Sequence, residues 1–161
     1  MIRLEEEVSL LLQQHNLTLS IIESATGGLL SHLITNIPGS SRYYKGSVIA
    51  YNNEVKTALL DIDEAIIKRH GAVSQQTAEA MAKGGKKLFT SDVCLAVTGI
   101  AGPGGATPNK PVGLFYIGLA YPMGTICQMY IYQGDRKQNK HLAANAALVQ
   151  LKNYLSEYTS E

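Results

Sequence analysis

Residues 18–34 read TLSIIESATGGLLSHLI, and this stretch decides the fold class. The mostly apolar run at residues 18–23 predicts a short buried strand, and residues 24–28 predict a tight glycine turn. The apolar residues from 29 to 34 then recur at helical spacing. A strand that passes through a glycine turn into a helix is typical of α/β proteins, in which such units build a sheet covered by helices.

The rest of the chain repeats this alternation of strands and helices. Further strands are predicted at residues 46–51 and 93–98, a hairpin at 112–120 and 126–132, and helices at 4–16, from 53, at 63–69, after the N-cap Ser74 and after the N-cap Asp135. Gly84 and Gly85 lie inside the helix after Ser74, where a glycine pair indicates close backbone packing. We therefore predict one domain over residues 1–161, a single-domain layered α/β/α fold with a mixed, mainly parallel sheet and one antiparallel hairpin.

Composition excludes several classes of protein. The 161 residues are 45% hydrophobic and 17% charged, which is ordinary for a globular chain and unlike a disordered or coiled-coil one. Fourteen basic and thirteen acidic residues leave a formal charge of +1, so no cationic surplus favours nucleic acid or acidic lipid. No apolar run approaches a membrane span of roughly 20 residues, and the acidic N-terminus is unlike a secretory signal. We expect a cytoplasmic protein without nucleic-acid or membrane partners.

Cysteines and histidines form no pattern typical of a metal site. Cys94 and Cys127 both lie in apolar, strand-like runs, which predicts two buried thiols in a reducing compartment. The four histidines are scattered, without H-x-x-x-H spacing or a carboxylate partner. The sequence therefore predicts no metal site.

The turn Ser24-Ala25-Thr26-Gly27-Gly28 is the first candidate site. A strand end followed by a helix start places a side chain at the rim of a sheet, among backbone N–H groups that can hold a phosphate or an oxyanion. The spacing is not the G-x-S-x-G of a nucleophile elbow. From these residues alone, a plain helix cap at Ser24 or Thr26 is an equal alternative.

The loop Gly99-Ile100-Ala101-Gly102-Pro103-Gly104-Gly105 is the second candidate. Gly99 and Gly104 have P-loop spacing, but Gly105 and Ala106 follow where a lysine and a serine or threonine are needed, so a nucleoside triphosphatase is not expected. A turn rich in N–H donors after a buried strand is a common place for a ligand. A wide structural turn is the alternative.

The segment Tyr51-Asn52-Asn53-Glu54-Val55-Lys56 is the third candidate. A lysine whose pKa is lowered by burial can act as general base toward a serine without any histidine. Taken alone, the segment favours the alternative that Lys56 is a solvated helix residue.

Six motifs, in order across nearly the whole chain, resemble those of the CinA C-terminal domain family. They are Glu23-Ser24-Ala25-Thr26-Gly27-Gly28, Ile37-Pro38-Gly39-Ser40-Ser41, Tyr51-Asn52-Asn53-Glu54-Val55-Lys56, Gly71-Ala72-Val73-Ser74, Thr98-Gly99-Ile100-Ala101-Gly102-Pro103-Gly104-Gly105 and Lys110-Pro111-Val112-Gly113. The characterised activity of that family is nicotinamide mononucleotide deamidase, which gives nicotinate mononucleotide and ammonia in pyridine-nucleotide salvage. The resemblance implies this amidohydrolase activity on a small-molecule nucleotide, without a metal or cofactor.

The resemblance also implies roles for individual residues. Ser24 would be the nucleophile, Lys56 the general base, and Tyr51 a helper that orients or tunes the pair. Loop residues would line the amide and its developing oxyanion, while the helix start and Arg136 would supply donors for the substrate phosphate. The implied substrate-binding residues are Thr26, Gly27, Gly28, Thr98, Gly99, Ala101, Gly102 and Arg136.

Three positions depart from the family pattern. Ala25 stands where many relatives have cysteine, which matters little if Ser24 is the nucleophile. Asn139 and Lys140 replace the usual isoleucine and arginine, and a lysine keeps the charge but loses the bidentate fork, so a phosphate or carboxylate contact there is expected to weaken. Two alternatives therefore stay open: a non-catalytic nucleotide-binding or interaction module, and an amidase for another small amide.

The resemblance further implies a homo-oligomer, most simply a dimer. The predicted hairpin carries Tyr116, Tyr121, Tyr130 and Tyr132, which could supply an interface. Half-buried strands that pack within one chain produce the same pattern.

Overall fold

Five strands and six α-helices alternate along residues 1–159, which the computed structural model describes. The helices are α1 (Leu4–His15), α2 (Leu29–Thr35), α3 (Asn53–Leu60), α4 (Glu64–His70), α5 (Gln75–Phe89) and α6 (Arg136–Glu157). The strands are β1 (Leu19–Glu23), β2 (Tyr44–Ile49), β3 (Val93–Gly99), β4 (Leu114–Tyr121) and β5 (Gly124–Ile131). The predicted N-caps are confirmed, since the Ser74 side chain accepts the Thr77 N–H and the Asp135 side chain accepts the Gln138 N–H.

The strands form one sheet in the order β2-β1-β3-β4-β5. β1 pairs in parallel with β2 and β3, whereas β4 is antiparallel to both β3 and β5. All strands except β4 therefore point the same way. The predicted mixed, mainly parallel sheet with one antiparallel hairpin is confirmed.

Helices cover both faces of the sheet, because successive side chains of each buried strand point to opposite sides. In β3, Val93, Leu95 and Val97 face a core completed by α1, α2 and α6. Cys94 and Ala96 face the opposite core, completed by α3, α4 and α5. The predicted α/β/α layering is confirmed.

Two glycines let α5 approach the sheet and α3 closely. A Cβ on Gly85 would lie 2.5 Å from a side-chain carbon of Ile22 in β1 and 2.6 Å from the Cys94 sulfur in β3. A Cβ on Gly84 would lie 2.3 Å from the Leu60 carbonyl oxygen at the end of α3. The predicted close packing at this pair is confirmed, and it fixes α3 relative to the sheet.

Some local predictions are corrected by the structure. Pro38-Gly39-Ser40-Ser41 reads as a loop in the sequence, but Ser40–Arg42 forms a short 3₁₀ helix. Cys94 is buried as predicted, but Cys127 is only partly buried because β5 is an edge strand with one neighbour. β2 ends at Ile49, so Tyr51 lies beyond the strand rather than in it. Along residues 1–159, no helix has both the length and the apolar character needed to cross a bilayer.

Candidate active site

The predicted turn and loop meet at the carboxyl ends of β1 and β3. These strands are parallel neighbours, so the chain leaves both of them at the same edge of the sheet. Ser24 follows β1 directly, and its N–H donates to the Val97 carbonyl oxygen in β3 at 3.0 Å. This bond holds Ser24 at the sheet rim, where the residue is 8% exposed.

Lys56 reaches Ser24 from the start of α3. The helix begins at the N-cap Asn52, whose side chain accepts the Val55 N–H at 3.0 Å. The Lys56 Nζ lies 3.3 Å from the Ser24 Oγ, and the residue is only 1% exposed. The alternative of a solvated lysine is therefore wrong.

Burial lowers the pKa of Lys56, because the ammonium form loses its hydration. No carboxylate forms an ion pair with Lys56 in the described part of the chain, so nothing there offsets this loss. Burial therefore raises the fraction of neutral amine relative to a solvated lysine, and a neutral amine can accept a proton from the hydroxyl beside it.

A cavity of about 260 Å³ opens at this pair. Its lining brings together most of the sequence-predicted site residues: Ser24, Lys56, Tyr51, Thr98, Gly99, Ala101, Gly102 and Arg136. Asn53, Ala72 and Val73 also line it, and sequence reasoning did not select them. The motif Gly71-Ala72-Val73-Ser74 was the sequence feature that could have identified Ala72 and Val73.

Backbone groups dominate the loop side of the cavity. The N–H groups of Ala25, Ala101 and Gly102 make no hydrogen bond to any residue within 1–159. Thr98 is 1% exposed and donates its hydroxyl to the Ala72 carbonyl oxygen at 2.8 Å, which ties the end of β3 to the loop before α5. The cavity therefore offers N–H donors suited to a carbonyl oxygen or oxyanion.

Arg136 and Tyr51 form the outer rim of the cavity. The Arg136 guanidinium donates to the Gly102 carbonyl oxygen at 2.8 Å and to the Tyr51 hydroxyl at 3.1 Å. Tyr51 is 58% exposed, and its hydroxyl contacts Arg136 rather than Ser24 or Lys56. Any effect of Tyr51 on the pair is therefore indirect in this structure.

The start of α2 is occupied by a side chain of the protein itself. The fully buried Glu23 carboxylate accepts the N–H groups of Leu30 and Ser31 at 2.9 and 3.0 Å. These two donors are therefore not free for a substrate phosphate. Of the expected donors at the helix start, the Gly27 N–H donates to the Ser24 carbonyl oxygen at 3.1 Å, and the Gly28 N–H has no acceptor among residues 1–159. Thr26 and the pair Gly27-Gly28 lie outside the cavity lining.

Asn139 contacts the site although sequence reasoning treated it only as a departure from the family pattern. The residue is fully buried in α6, where its side chain donates to the Ala101 carbonyl oxygen at 3.1 Å and accepts the Gly134 N–H at 3.0 Å. Asn139 precedes Ala143 and Ala147 on one apolar helix stripe. A polar residue on such a stripe needs buried hydrogen-bond partners. This position in the helical pattern is the sequence feature that could have indicated the buried contacts of Asn139.

Lys140 brings a second cation to this edge of the molecule. The residue is partly buried, and its Nζ lies 3.6 Å from the place of a Cβ on Gly27. The positive side chains of Arg136 and Lys140 thus flank the glycine loop and the serine turn. Residues 1–159 contain no cluster of three or more His, Cys, Asp or Glu side chains suited to a metal ion.

These features define the class of protein: a three-layer α/β domain with a buried serine–lysine pair and a glycine-rich loop at the carboxyl ends of parallel strands. Its fold is similar to the crystal structure of the competence damage-inducible protein A from Klebsiella pneumoniae subsp. pneumoniae. The TM-score is 0.94, with 26% sequence identity over 97% of both chains.

The chain belongs to the CinA C-terminal domain family, whose sequence profile matches residues 1–155. A CinA-like protein of Desulfotalea psychrophila is 46% identical over 144 residues, and a putative competence-damage inducible protein of Desulforudis audaxviator is 45% identical over 152 residues. The alignments cover 89% and 94% of this chain but 35% and 37% of the two relatives. The chain thus spans little more than a third of the length of these relatives.

Proposed function

We propose that the protein hydrolyses the carboxamide of nicotinamide mononucleotide to nicotinate mononucleotide and ammonia. The observation that carries the proposal is the 3.3 Å contact between the Ser24 Oγ and the Nζ of the buried Lys56. A serine hydroxyl needs a base to become a nucleophile, and a desolvated lysine is such a base. The choice of substrate follows the activity that characterises the family.

In the proposed reaction, the neutral Lys56 amine accepts the Ser24 proton while the Oγ attacks the carboxamide carbon. The tetrahedral intermediate collapses as Lys56 returns that proton to the leaving nitrogen, so ammonia departs and an ester on Ser24 remains. Water then attacks the ester, Lys56 again takes and returns the proton, and nicotinate mononucleotide leaves. One water is consumed, and the enzyme is restored.

The cations at the rim support a mononucleotide as the substrate. Arg136 borders the cavity, and Lys140 lies beside the turn that follows Ser24. Glu23 fills the start of α2, so we assign the substrate phosphate to these two side chains rather than to that helix. Lysine at position 140 contributes charge without a bidentate fork, which suits a weaker contact.

The test is ammonia release from nicotinamide mononucleotide, measured without added metal for the wild type, Ser24→Ala and Lys56→Met. Both variants are expected to lose turnover by at least about 10³-fold, because nucleophile and base act as one unit. Ser41→Ala and Lys83→Met, which change exposed residues of the same types, should keep wild-type rates. Wild-type rates in Ser24→Ala would remove Ser24 from the mechanism.

A panel of small amides run in parallel separates the proposal from its alternatives. Release from another amide but not from the nucleotide would identify an amidase of different specificity with the same Ser24–Lys56 pair. No release from any amide, with nicotinamide mononucleotide still raising Tm, would identify a non-catalytic binding module.

A cytoplasmic location belongs to the same proposal. It is supported by the free thiols of Cys94 and Cys127, which suit a reducing compartment. Fractionation of cells that express the protein tests this location.

A further inference from the structure

Helix α6 holds two consecutive carbonyl groups of the glycine-rich loop. The Asn139 Nδ2 donates to the Ala101 oxygen at 3.1 Å, and the Arg136 guanidinium donates to the Gly102 oxygen at 2.8 Å. Both donors lie in the first turns of α6, so a rigid element rather than the loop itself sets the orientation of these carbonyls.

The orientation of the Asn139 amide is fixed by its second partner. Its Oδ1 accepts the Gly134 N–H at 3.0 Å, and a carbonyl oxygen is the only end of the amide that can do so. The Nδ2 end must therefore face Ala101. Because the side chain is fully buried, water does not compete for either bond.

Fixing the Ala101 carbonyl also fixes the N–H of the next residue. The peptide bond between Ala101 and Gly102 is trans, and in a planar trans unit the C=O and the N–H point in opposite directions. With the Ala101 oxygen directed at α6, the Gly102 N–H is directed away from α6. Gly102 lines the cavity that contains Ser24, and its N–H has no acceptor among the described residues.

A residue with a side chain does not fit at position 102. Its φ is +88°, a region that glycine favours, and a Cβ there would lie 2.4 Å from a Val112 methyl group. The conformation of the loop at this point therefore requires glycine. An unpaired N–H held in a fixed direction, on a residue that lines the cavity beside Ser24, can serve as an oxyanion-hole donor.

We propose that the Gly102 N–H donates to the oxyanion of the tetrahedral intermediate formed on Ser24, and that Asn139 is the positioning residue that aims this N–H. The inference rests on the proposed amidase function. Asn139 touches neither substrate nor reacting atoms and acts through the Ala101–Gly102 peptide unit. Its role is thus to pre-orient a donor that becomes important only when charge develops on the oxygen.

Asn139→Asp is the variant that isolates this role. An ionised carboxylate still accepts the Gly134 N–H but cannot donate to the Ala101 oxygen, and burial raises the pKa of such a carboxyl. The variant is therefore assayed at alkaline pH, where the carboxyl is ionised and the contact with the loop is lost. We expect kcat to fall by about 10²-fold with KM changed by less than about threefold, the pattern of an interaction made in the transition state. A merely structural role would raise KM or lower Tm without this split.

Gln150→Glu is the matched control. Gln150 is also a buried amide on α6, and its Nε2 donates to the Ile117 carbonyl oxygen at 3.2 Å, away from the cavity. The same amide-to-acid exchange there should leave kcat and KM at wild-type values. A kcat for Asn139→Asp within twofold of the wild type would overturn the inference.

A second measurement separates this inference from the choice of reaction. With pyridine-3-boronic acid, the Ser24 Oγ adds its lone pair to boron and its proton passes to Lys56, which gives an anionic tetrahedral adduct. We expect Asn139→Asp to weaken this binding by at least about tenfold and Gln150→Glu to leave it unchanged. If the wild type hydrolyses no amide but shows this difference, the proposed function fails, whereas the positioning of the Gly102 N–H by Asn139 toward a tetrahedral adduct on Ser24 is supported.

The wild-type protein alone provides a test that does not depend on a folded variant. In protein labelled with ¹⁵N-glycine, the Gly102 amide proton resonance should move downfield when the boronic acid binds. An unmoved resonance, or no adduct at all, would overturn the inference.

Discussion

At the scale of single residues, Lys56 combines a chemical role with a cost in stability. A lysine that is 1% exposed and has no ion-pair partner in the described chain keeps its charge poorly, and its pKa is lowered for that reason. The same burial that makes the amine a base therefore works against folding when the amine is protonated. Activity and stability are opposed at this position.

We expect Lys56→Met to abolish turnover and to raise the free energy of unfolding at pH 7. Methionine fills a similar volume without a charge to desolvate, and the gain should be about 1–3 kcal/mol. Urea titration of both proteins measures the difference, with the exposed Lys83→Met as control. An unchanged or lower stability of Lys56→Met would contradict this account.

The same pKa shift predicts the pH dependence of activity and stability. In the unfolded chain Lys56 titrates near its ordinary value of 10.5, above its folded value. Between these two values the unfolded state binds more protons, so the stability of the wild type relative to Lys56→Met should rise with pH across that window. The lower limb of the kcat/KM profile should report the folded pKa, below 10.5. A profile flat from pH 6 to 9 would argue against Lys56 as the base.

At the scale of elements, Glu23 joins β1 to α2. Its buried carboxylate accepts two N–H groups of the first turn of α2 and lies at 2.5 Å from the Ser31 hydroxyl. The Ser31 hydroxyl in turn contacts the Ser47 hydroxyl of β2 at 2.6 Å. Glu23 therefore fixes the geometry of the turn that carries Ser24.

We expect Glu23→Leu to destabilise the fold by about 2–4 kcal/mol, because two buried N–H groups lose their acceptor. Glu23→Gln keeps one acceptor oxygen and should cost less. Urea unfolding measures both, and Glu54→Gln on the exposed side of α3 serves as the control. If Glu23→Leu is as stable as the wild type, the carboxylate does not hold α2.

At the scale of the whole molecule, the tyrosines of the hairpin pack mainly within the chain. Tyr130 and Tyr132 stack with ring centroids 5.8 Å apart and lie against the core, while Tyr121 packs on Tyr154 of α6. The tyrosine pattern therefore gives no argument for an interface. Exposed apolar area on the hairpin belongs instead to Met129 and Ile131 of β5, which are 57% and 52% exposed.

We propose that the dimer implied by the family resemblance pairs two copies of β5 across a twofold axis. β5 is an edge strand of eight residues that contains neither a charged residue nor a proline. Charged residues and prolines normally block pairing between edge strands, so nothing of this kind opposes the pairing of two β5 strands. Light scattering after gel filtration should give a dimer for the wild type and a monomer for Met129→Lys. Leu88→Lys, on an exposed position of α5, should stay dimeric. A monomeric wild type would contradict the dimer.

Local sequence was sufficient for the elements and the layering. Apolar spacing, the caps Ser74 and Asp135 and the glycine turns set the order of helices and strands, because these signals act over a few residues. The mixed sheet followed from strands that alternate with helices and from one short hairpin connection. Ser24 and the loop from Gly99 could be named as candidates because each follows a buried strand.

Only the tertiary structure decided what those candidates contact. Taken alone, the local sequence favoured a solvated Lys56, whereas α3, packed against α5 through Gly84, buries its amine beside Ser24. Asn139 stood out in the sequence only as a departure from the family pattern, whereas in the structure its side chain donates from α6 to the Ala101 carbonyl oxygen of the loop. The Glu23 carboxylate occupies the N–H groups of Leu30 and Ser31 in the first turn of α2. Short-range patterns fix local conformation, whereas burial, pKa and hydrogen-bond partners depend on segments distant in the chain that packing brings together.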